Sequence, residues 1–169
     1  MYKYSHPKPI IVKLTDEIGF QLRQKAADYI TANQNRTGAE RGSSEQQGFG
    51  ALTEMVIRNK FGMPEINPED HPLGYDILLP SGVKLDVKCR GGALPFKEAY
   101  ESDDGIVREA KHNFFARQLH DTRLDADIYL MTHLETPSKR ELPGTKRQKK
   151  WILYICGWVS KDRVAREGV

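Results

Sequence analysis

The chain has few cysteines, no long apolar run and little net charge, and each shortage excludes a class of protein. Two cysteines among 169 residues are too few for a disulfide framework. No apolar run approaches the ~20 residues of a membrane span, and the first seven residues contain no apolar signal region. We therefore expect one compact domain in a reducing, cytoplasmic setting, with no membrane partner.

The net charge of +3 is small, but the charge is unevenly distributed. Residues 135–150 contain six basic and two acidic residues, a surplus of four, so the rest of the chain is almost neutral. Such a segment is either a solvated loop or a surface that contacts nucleic-acid phosphates, and composition alone favours neither. The candidate phosphate-contacting residues are Lys139, Arg140, Lys146, Arg147, Lys149 and Lys150, with Arg36, Arg41 and Arg90 as secondary candidates.

The hydrophobic pattern predicts the element order helix, helix, strand, strand, helix, strand, strand. This order is typical of a mixed α/β or α+β domain with one layered core, and the chain has no glycine-rich phosphate loop. The predicted helices cover 15–33, the stretch from Ser43 or Ser44 to the Gly62 and Pro64 break, and 105–121; the predicted strands cover 77–79, 83–89, 126–133 and 151–159.

The same pattern divides the chain into a core at 43–160, an N-terminal helix and loop extension at 1–42, and a tail at 161–169. Within the extension we expect residues 1–12 to form an extended lead-in and Thr15 to cap the first helix. Gly91 and Gly92 interrupt the alternation of the second strand and are expected to end it.

The strongest chemical signal comes from Asp76, Asp86 and Lys88. A spacing of two residues on a strand places Asp86 and Lys88 on one side, and the turn at 80–82 can return the chain so that Asp76 approaches Asp86. Two carboxylates in one cleft require a proton or a cation between them, and Mg²⁺ prefers such oxygen ligands. A neighbouring lysine can orient a water or stabilise charge on a phosphate, so the set predicts a metal-assisted phosphodiesterase centre.

Asp76, a spacer of nine residues and then Asp86-Val87-Lys88 resemble the motif of the PD-(D/E)XK nuclease superfamily. In that family an acidic residue on the preceding helix often joins the metal site, and Glu54 matches it. Gln47, Gly50 and Glu54 share one helix face, where Gly50 is expected to allow close backbone approach. The chain departs from the motif with Tyr75 in place of the proline and with Asp86 in place of glutamate, a permitted variant.

The resemblance implies a restriction-endonuclease-like fold and a Mg²⁺-dependent endodeoxyribonuclease, with Mn²⁺ able to substitute. Asp76, Asp86 and Glu54 would bind the metal, the last directly or through water, and Lys88 would help to activate the attacking water. DNA would be the partner, and cutting both strands would call for a homodimer. The apolar segment 151–159 is similar to late strands of phage and bacterial members, which implies the cytoplasm of a bacterial or phage-infected host cell.

Other interpretations of the same residues remain open. Residues 84–88 can be a solvated charge ladder, Asp76 a turn cap and Glu54 a solvated helix residue. The chain can also be a non-catalytic nucleic-acid-binding protein that keeps the nuclease fold, or an RNase with the same centre. A zinc site is not favoured, because the histidines lack ligand spacing and the cysteines are scattered.

Overall fold

The computed structural model describes residues 9–33, 44–66, 74–93, 95–96, 125–137 and 151–167. The helix predicted at 105–121 and residues 138–150 of the basic segment lie outside the described residues. The described ranges form eight elements, in the order β1 (Ile10–Lys13), α1 (Glu17–Asn33), α2 (Ser44–Lys60), β2 (Ile77–Leu78), β3 (Lys84–Gly92), β4 (Ile128–Glu135), β5 (Ile152–Ser160) and α3 (Lys161–Glu167).

The five strands form one mixed sheet in the order β1-β5-β4-β3-β2. The β3–β4 pair is parallel, and the other three neighbouring pairs are antiparallel. The predicted mixed α+β class is therefore confirmed as a five-stranded mixed sheet flanked by helices. The strand predicted at 151–159 has a neighbour on each side, as expected of its apolar sequence.

The two faces of the sheet contribute to different apolar clusters. The side chains of Leu85, Val87 and Cys89 join the larger cluster, which also contains buried residues of α1 and α2. The opposite face carries a smaller cluster around Tyr129 and Val164. Because side chains alternate along a strand, Asp86 and Lys88 lie on the face of the smaller cluster. The predicted alternation along β3 thus places the core side chains on one face of the strand and the candidate site residues on the other.

Both ends of the chain are more structured than the sequence pattern indicated. Residues 10–13 form a strand that pairs with β5, with Ile10 opposite Ile155. Residues 161–167, which we predicted as a tail, form α3, and this helix buries Val164. The short apolar run of β1 becomes a strand because β5 offers it hydrogen-bonding partners, which local periodicity does not reveal.

Two local predictions were wrong. Asp16, rather than Thr15, caps α1, because its Oδ1 accepts a 2.7 Å hydrogen bond from the backbone amide of Gly19. β3 runs through Gly91 and ends at Gly92, three residues beyond the predicted end at residue 89. A Cβ on Gly91 would lie 2.4 Å from the Phe49 ring, so this glycine is a packing requirement of α2 against the sheet.

None of the helices within the described ranges has both the length and the apolar character that crossing a bilayer requires.

Candidate active site

The β2–β3 hairpin brings Asp76 beside the strand that carries Asp86. Ile77 pairs with Leu85 and Leu78 with Lys84, and Asp76 directly precedes β2. The Asp76 backbone amide donates a 2.8 Å hydrogen bond to the carbonyl of Leu85. The turn is closed by Gly82, whose φ of +86° suits a residue without a side chain. The predicted approach of Asp76 to β3 therefore follows from the hairpin and from the hydrogen bonds of Asp76.

The Asp76 side chain is fixed as well as its backbone. Its Oδ2 accepts a 2.7 Å hydrogen bond from the backbone amide of Val87. Since β2 is only two residues long, this carboxylate continues the pairing of β3 beyond the end of the strand. Asp76 thus faces the strand that carries Asp86 and Lys88, as predicted.

Asp86 and Lys88 form an ion pair along β3. The Lys88 Nζ lies 2.8 Å from Asp86 Oδ1 and 3.0 Å from Asp86 Oδ2. Each side chain is only 17% exposed, and the Lys88 Nζ lies 5.7 Å from the centroid of the Tyr129 ring. This burial argues against a solvated charge ladder at these two positions. Lys84 differs from them, because it pairs with Asp125 at the surface.

Glu54 lies on α2 and is paired with Arg58, one helical turn later. The Arg58 Nε donates a 2.9 Å hydrogen bond to Glu54 Oε1, and the two side chains are 18% and 17% exposed. Burial raises the pKa of Glu54, although its bond to Arg58 works in the opposite direction. Glu54 is therefore not an ordinary solvated helix residue.

Arg58 also reaches the segment that contains Asp76, which the sequence analysis missed. Its guanidinium donates a 2.6 Å hydrogen bond to the Asp76 carbonyl and a 3.2 Å bond to the Pro64 carbonyl. The i, i+4 spacing of Glu54 and Arg58 was the available sequence signal. That spacing predicts the ion pair but not the contact with Asp76.

The carboxyl groups influence one another. The pKa of Asp76 rises to about 7, first because the group is buried and then because Asp86 and Glu54 are negatively charged. The Val87 amide and the Lys88 ammonium lower this pKa, but their combined effect is smaller. The charges of Asp86 and Glu54 thus both act on Asp76, while Lys88 pairs with Asp86 and Arg58 pairs with Glu54. The three carboxylates carry one more charge than the two cations, Lys88 and Arg58, neutralise. A bound proton or cation would neutralise that remaining negative charge.

Of the remaining predicted site residues, some lie within the described residues and others lie outside them. Arg90 lies on β3, exposed, on the same strand face as Asp86 and Lys88. Gln47 lies on α2, seven residues before Glu54. The close backbone approach predicted at Gly50 was wrong, because a Cβ there would meet nothing within 4 Å. Outside the described residues lie Arg36, Arg41, Lys139, Arg140, Lys146, Arg147, Lys149 and Lys150.

The donor set fits Mg²⁺ through two carboxylates rather than three. Within the described ranges, no group of three or more histidine, cysteine, aspartate or glutamate side chains is arranged so that it could hold a metal ion. Mg²⁺ needs only one or two protein carboxylates, because waters and substrate phosphates complete its shell. Asp76 and Asp86 would supply that number, and each of the three carboxylates already accepts a hydrogen bond within the chain, from Val87, Lys88 and Arg58 respectively.

Comparison with known proteins supplied no relative for this arrangement: no family model, no curated protein and no solved structure matches the chain.

Proposed function

We propose that this protein is a Mg²⁺-dependent endonuclease that hydrolyses DNA phosphodiester bonds and has a restriction-endonuclease-like fold. The observation that carries the proposal is the hydrogen bond of the Asp76 carboxylate to the Val87 amide, between Asp86 and Lys88, with Lys88 bound to Asp86. Hard oxygen donors beside an ammonium group are the components that metal-assisted phosphodiester hydrolysis requires.

The arrangement of the elements around the site supports the same proposal. A helix that carries an acidic residue precedes the hairpin, and the second hairpin strand is followed in the sheet by a parallel strand. The resemblance implies the order helix, hairpin, helix, strand, and α2, the β2–β3 hairpin and β4 follow one another in that order, while the helix predicted at 105–121 lies outside the described residues. In the sequence, the two aspartates and the lysine have the spacing of the motif.

The residues divide the chemical work between them. Asp76 and Asp86 would hold the metal, which when bound lowers the pKa of a water and neutralises charge on the phosphate. Lys88 has three N–H donors, and an ammonium bound to one carboxylate can also donate to a phosphate oxygen or orient the attacking water. Glu54 supports the acidic site from α2.

A nucleic-acid backbone is the partner that the charge distribution favours, and the superfamily resemblance implies that it is DNA. Arg90 lies on the site face of β3 and can contact a phosphate next to the scissile bond. The six basic residues at 139–150 would extend this contact along the backbone. Cutting both strands of a duplex needs two centres, so we also propose a two-fold homodimer, acting in a bacterial or phage-infected cell.

The alternative is a nucleic-acid-binding protein of this fold that does not cut. What favours it is that Asp86 and Glu54 each have a cationic partner within the chain, so neither carboxylate requires a metal for neutralisation. An RNase with the same centre is a further alternative, because the chemistry acts on either backbone.

The test is to incubate wild-type protein with supercoiled plasmid DNA and with a single-stranded RNA, each in Mg²⁺, in Mn²⁺ and in EDTA. We expect nicked and linear DNA with either metal and intact DNA in EDTA. Binding without cutting in every condition would favour the non-catalytic alternative. Cutting of RNA alone would move the assignment to an RNase.

A further inference from the structure

We propose that Arg58 is a positioning residue that sets the place of the Asp76 carboxylate, and that Glu54 acts through Arg58 rather than by direct contact with the metal. The inference deepens the proposed function, since it concerns the same site. It rests on three hydrogen bonds from one guanidinium: 2.9 Å to Glu54 Oε1, 2.6 Å to the Asp76 carbonyl and 3.2 Å to the Pro64 carbonyl.

These bonds connect three separate parts of the chain. Arg58 and Glu54 belong to α2, Pro64 belongs to the segment after that helix, and Asp76 begins the hairpin. A guanidinium offers five N–H donors in a rigid planar fork, so one side chain can serve acceptors on several sides. Arg58 is only 18% exposed, and a cation that is withdrawn from water to this extent needs such partners.

The contact matters because it completes the restraint on Asp76. The backbone amide of Asp76 is held by Leu85, its carboxylate by Val87 and its carbonyl by Arg58. Because both backbone polar groups of Asp76 are bound, its side chain leaves the backbone in a fixed direction. The Val87 amide then holds the carboxylate in place. A metal ligand needs this restraint, because a small displacement of a group that contacts the metal or the substrate lowers the rate of the reaction.

The arrangement also assigns a role to Glu54. Its Oε1 accepts the 2.9 Å hydrogen bond from Arg58 Nε, and both side chains are largely buried. Glu54 thus orients the guanidinium that holds the Asp76 carbonyl. Arg58→Lys would keep the positive charge but lose the planar set of N–H donors, so it should hold Asp76 only in part.

The most direct reporter is the backbone amide of Val87, whose hydrogen-bond acceptor is the Asp76 carboxylate. We expect Arg58→Met to speed amide hydrogen exchange at Val87 by about tenfold or more in metal-free protein. Arg58→Lys should give an intermediate increase. Leu153, on the interior strand β5, is the internal reference and should change little in either variant.

Lys25→Met is the matched control. It removes one positive charge and breaks a 2.6 Å ion pair with Glu65, in the same segment as Pro64, but the two side chains are 52% and 81% exposed. We expect Val87 exchange in this variant to match wild type. Equal changes in Lys25→Met and Arg58→Met would show a general charge or loop effect and would overturn the proposal.

A second readout follows metal binding without catalysis. The half-saturating Mg²⁺ concentration, measured by calorimetry on DNA-free protein, should rise about tenfold in Arg58→Met. Unchanged Val87 exchange with unchanged Mg²⁺ affinity would overturn the positioning role even if the wild type cuts DNA. Faster Val87 exchange in a protein that cuts nothing would support the role of Arg58 while the nuclease proposal fails.

Should Arg58→Met fail to fold, Arg58→Lys and Glu54→Gln carry the test. Glu54→Gln removes the charge that orients the guanidinium but keeps an acceptor oxygen, so we expect a smaller increase in Val87 exchange than in Arg58→Met. Wild-type exchange at Val87 in both of these folded variants would overturn the proposal.

Discussion

The carboxylate of Asp76 accepts a 2.7 Å hydrogen bond from the backbone amide of Val87. Val87 lies between Asp86 and Lys88 in the sequence. The bond therefore holds the Asp76 side chain against the segment of β3 that carries both of the other site residues. It also joins the end of the two-residue strand β2 to the much longer β3. The geometry of the candidate site therefore depends on this bond.

We expect Asp76→Asn to stabilise the metal-free protein above neutral pH. The pKa of Asp76 is about 7 in the folded chain against an ordinary value of 3.8. Between these values the folded chain binds more protons than the unfolded chain, so the free energy of unfolding falls as pH rises. Asparagine does not ionise but keeps an acceptor for the Val87 amide, so it escapes this cost.

The measurement is thermal unfolding in EDTA at about pH 4 and about pH 8. Each kcal/mol recovered corresponds to a rise in Tm of roughly 2–4 °C for a domain of this size. The advantage of Asp76→Asn should be clear at the higher pH and nearly absent at the lower one. The same difference at both pH values would contradict the electrostatic explanation.

Mg²⁺ should raise the Tm of the wild type, because the metal would bind the folded chain and not the unfolded one. At a hundred times the dissociation constant this linkage contributes about 2.7 kcal/mol. We expect Asp86→Asn to lose most of the shift. Asp125→Asn is the matched control, since it removes an exposed aspartate that pairs with Lys84. Equal shifts in both variants would place any bound metal elsewhere.

Lys88→Met should lower kcat by about 10²- to 10⁴-fold while the Mg²⁺-dependent rise in Tm remains. Lysine would act on the water and the phosphate, whereas the carboxylates hold the metal. The comparison is Lys84→Met, four residues earlier on the same strand face but in an exposed ion pair. Steady-state nicking kinetics give kcat for both variants. A similar loss of kcat in Lys84→Met would contradict the catalytic role assigned to Lys88.

Gly91→Ala should destabilise the fold by about 1–3 kcal/mol, because the new methyl group would overlap the Phe49 ring. Gly50→Ala is the contrasting substitution on α2. Its Cβ would meet nothing within 4 Å, and alanine favours a helix interior, so a gain of about 0.5–1 kcal/mol is expected. Urea unfolding of both variants measures the difference, and a neutral Gly91→Ala would contradict the packing described here.

The parts of the site that depend on local pattern could be predicted from the sequence. Alternation along 83–89 placed Asp86 and Lys88 on one strand face, and the turn at 80–82 brought Asp76 towards them. Arg58 was missed because its contact with the Asp76 carbonyl joins residues 18 positions apart through a helix and a loop.

The errors have a similar physical origin. Gly50 was expected to allow close backbone approach, but a Cβ there would meet nothing within 4 Å, whereas a Cβ on Gly91, on the facing strand, would overlap the Phe49 ring. The strand β1 was described only as an extended lead-in, because its partner β5 lies about 140 residues away in sequence. Local periodicity contains no information about either contact.

The most direct test of the central claim is the initial rate at which supercoiled plasmid is nicked in Mg²⁺ by wild type, Asp86→Asn and Asp125→Asn. We predict that wild type and Asp125→Asn cut at similar rates, that Asp86→Asn is slower by about 10²-fold or more, and that EDTA stops all three. Equal rates for Asp86→Asn and wild type would contradict the assignment of the Asp76 and Asp86 pair as the centre that hydrolyses DNA.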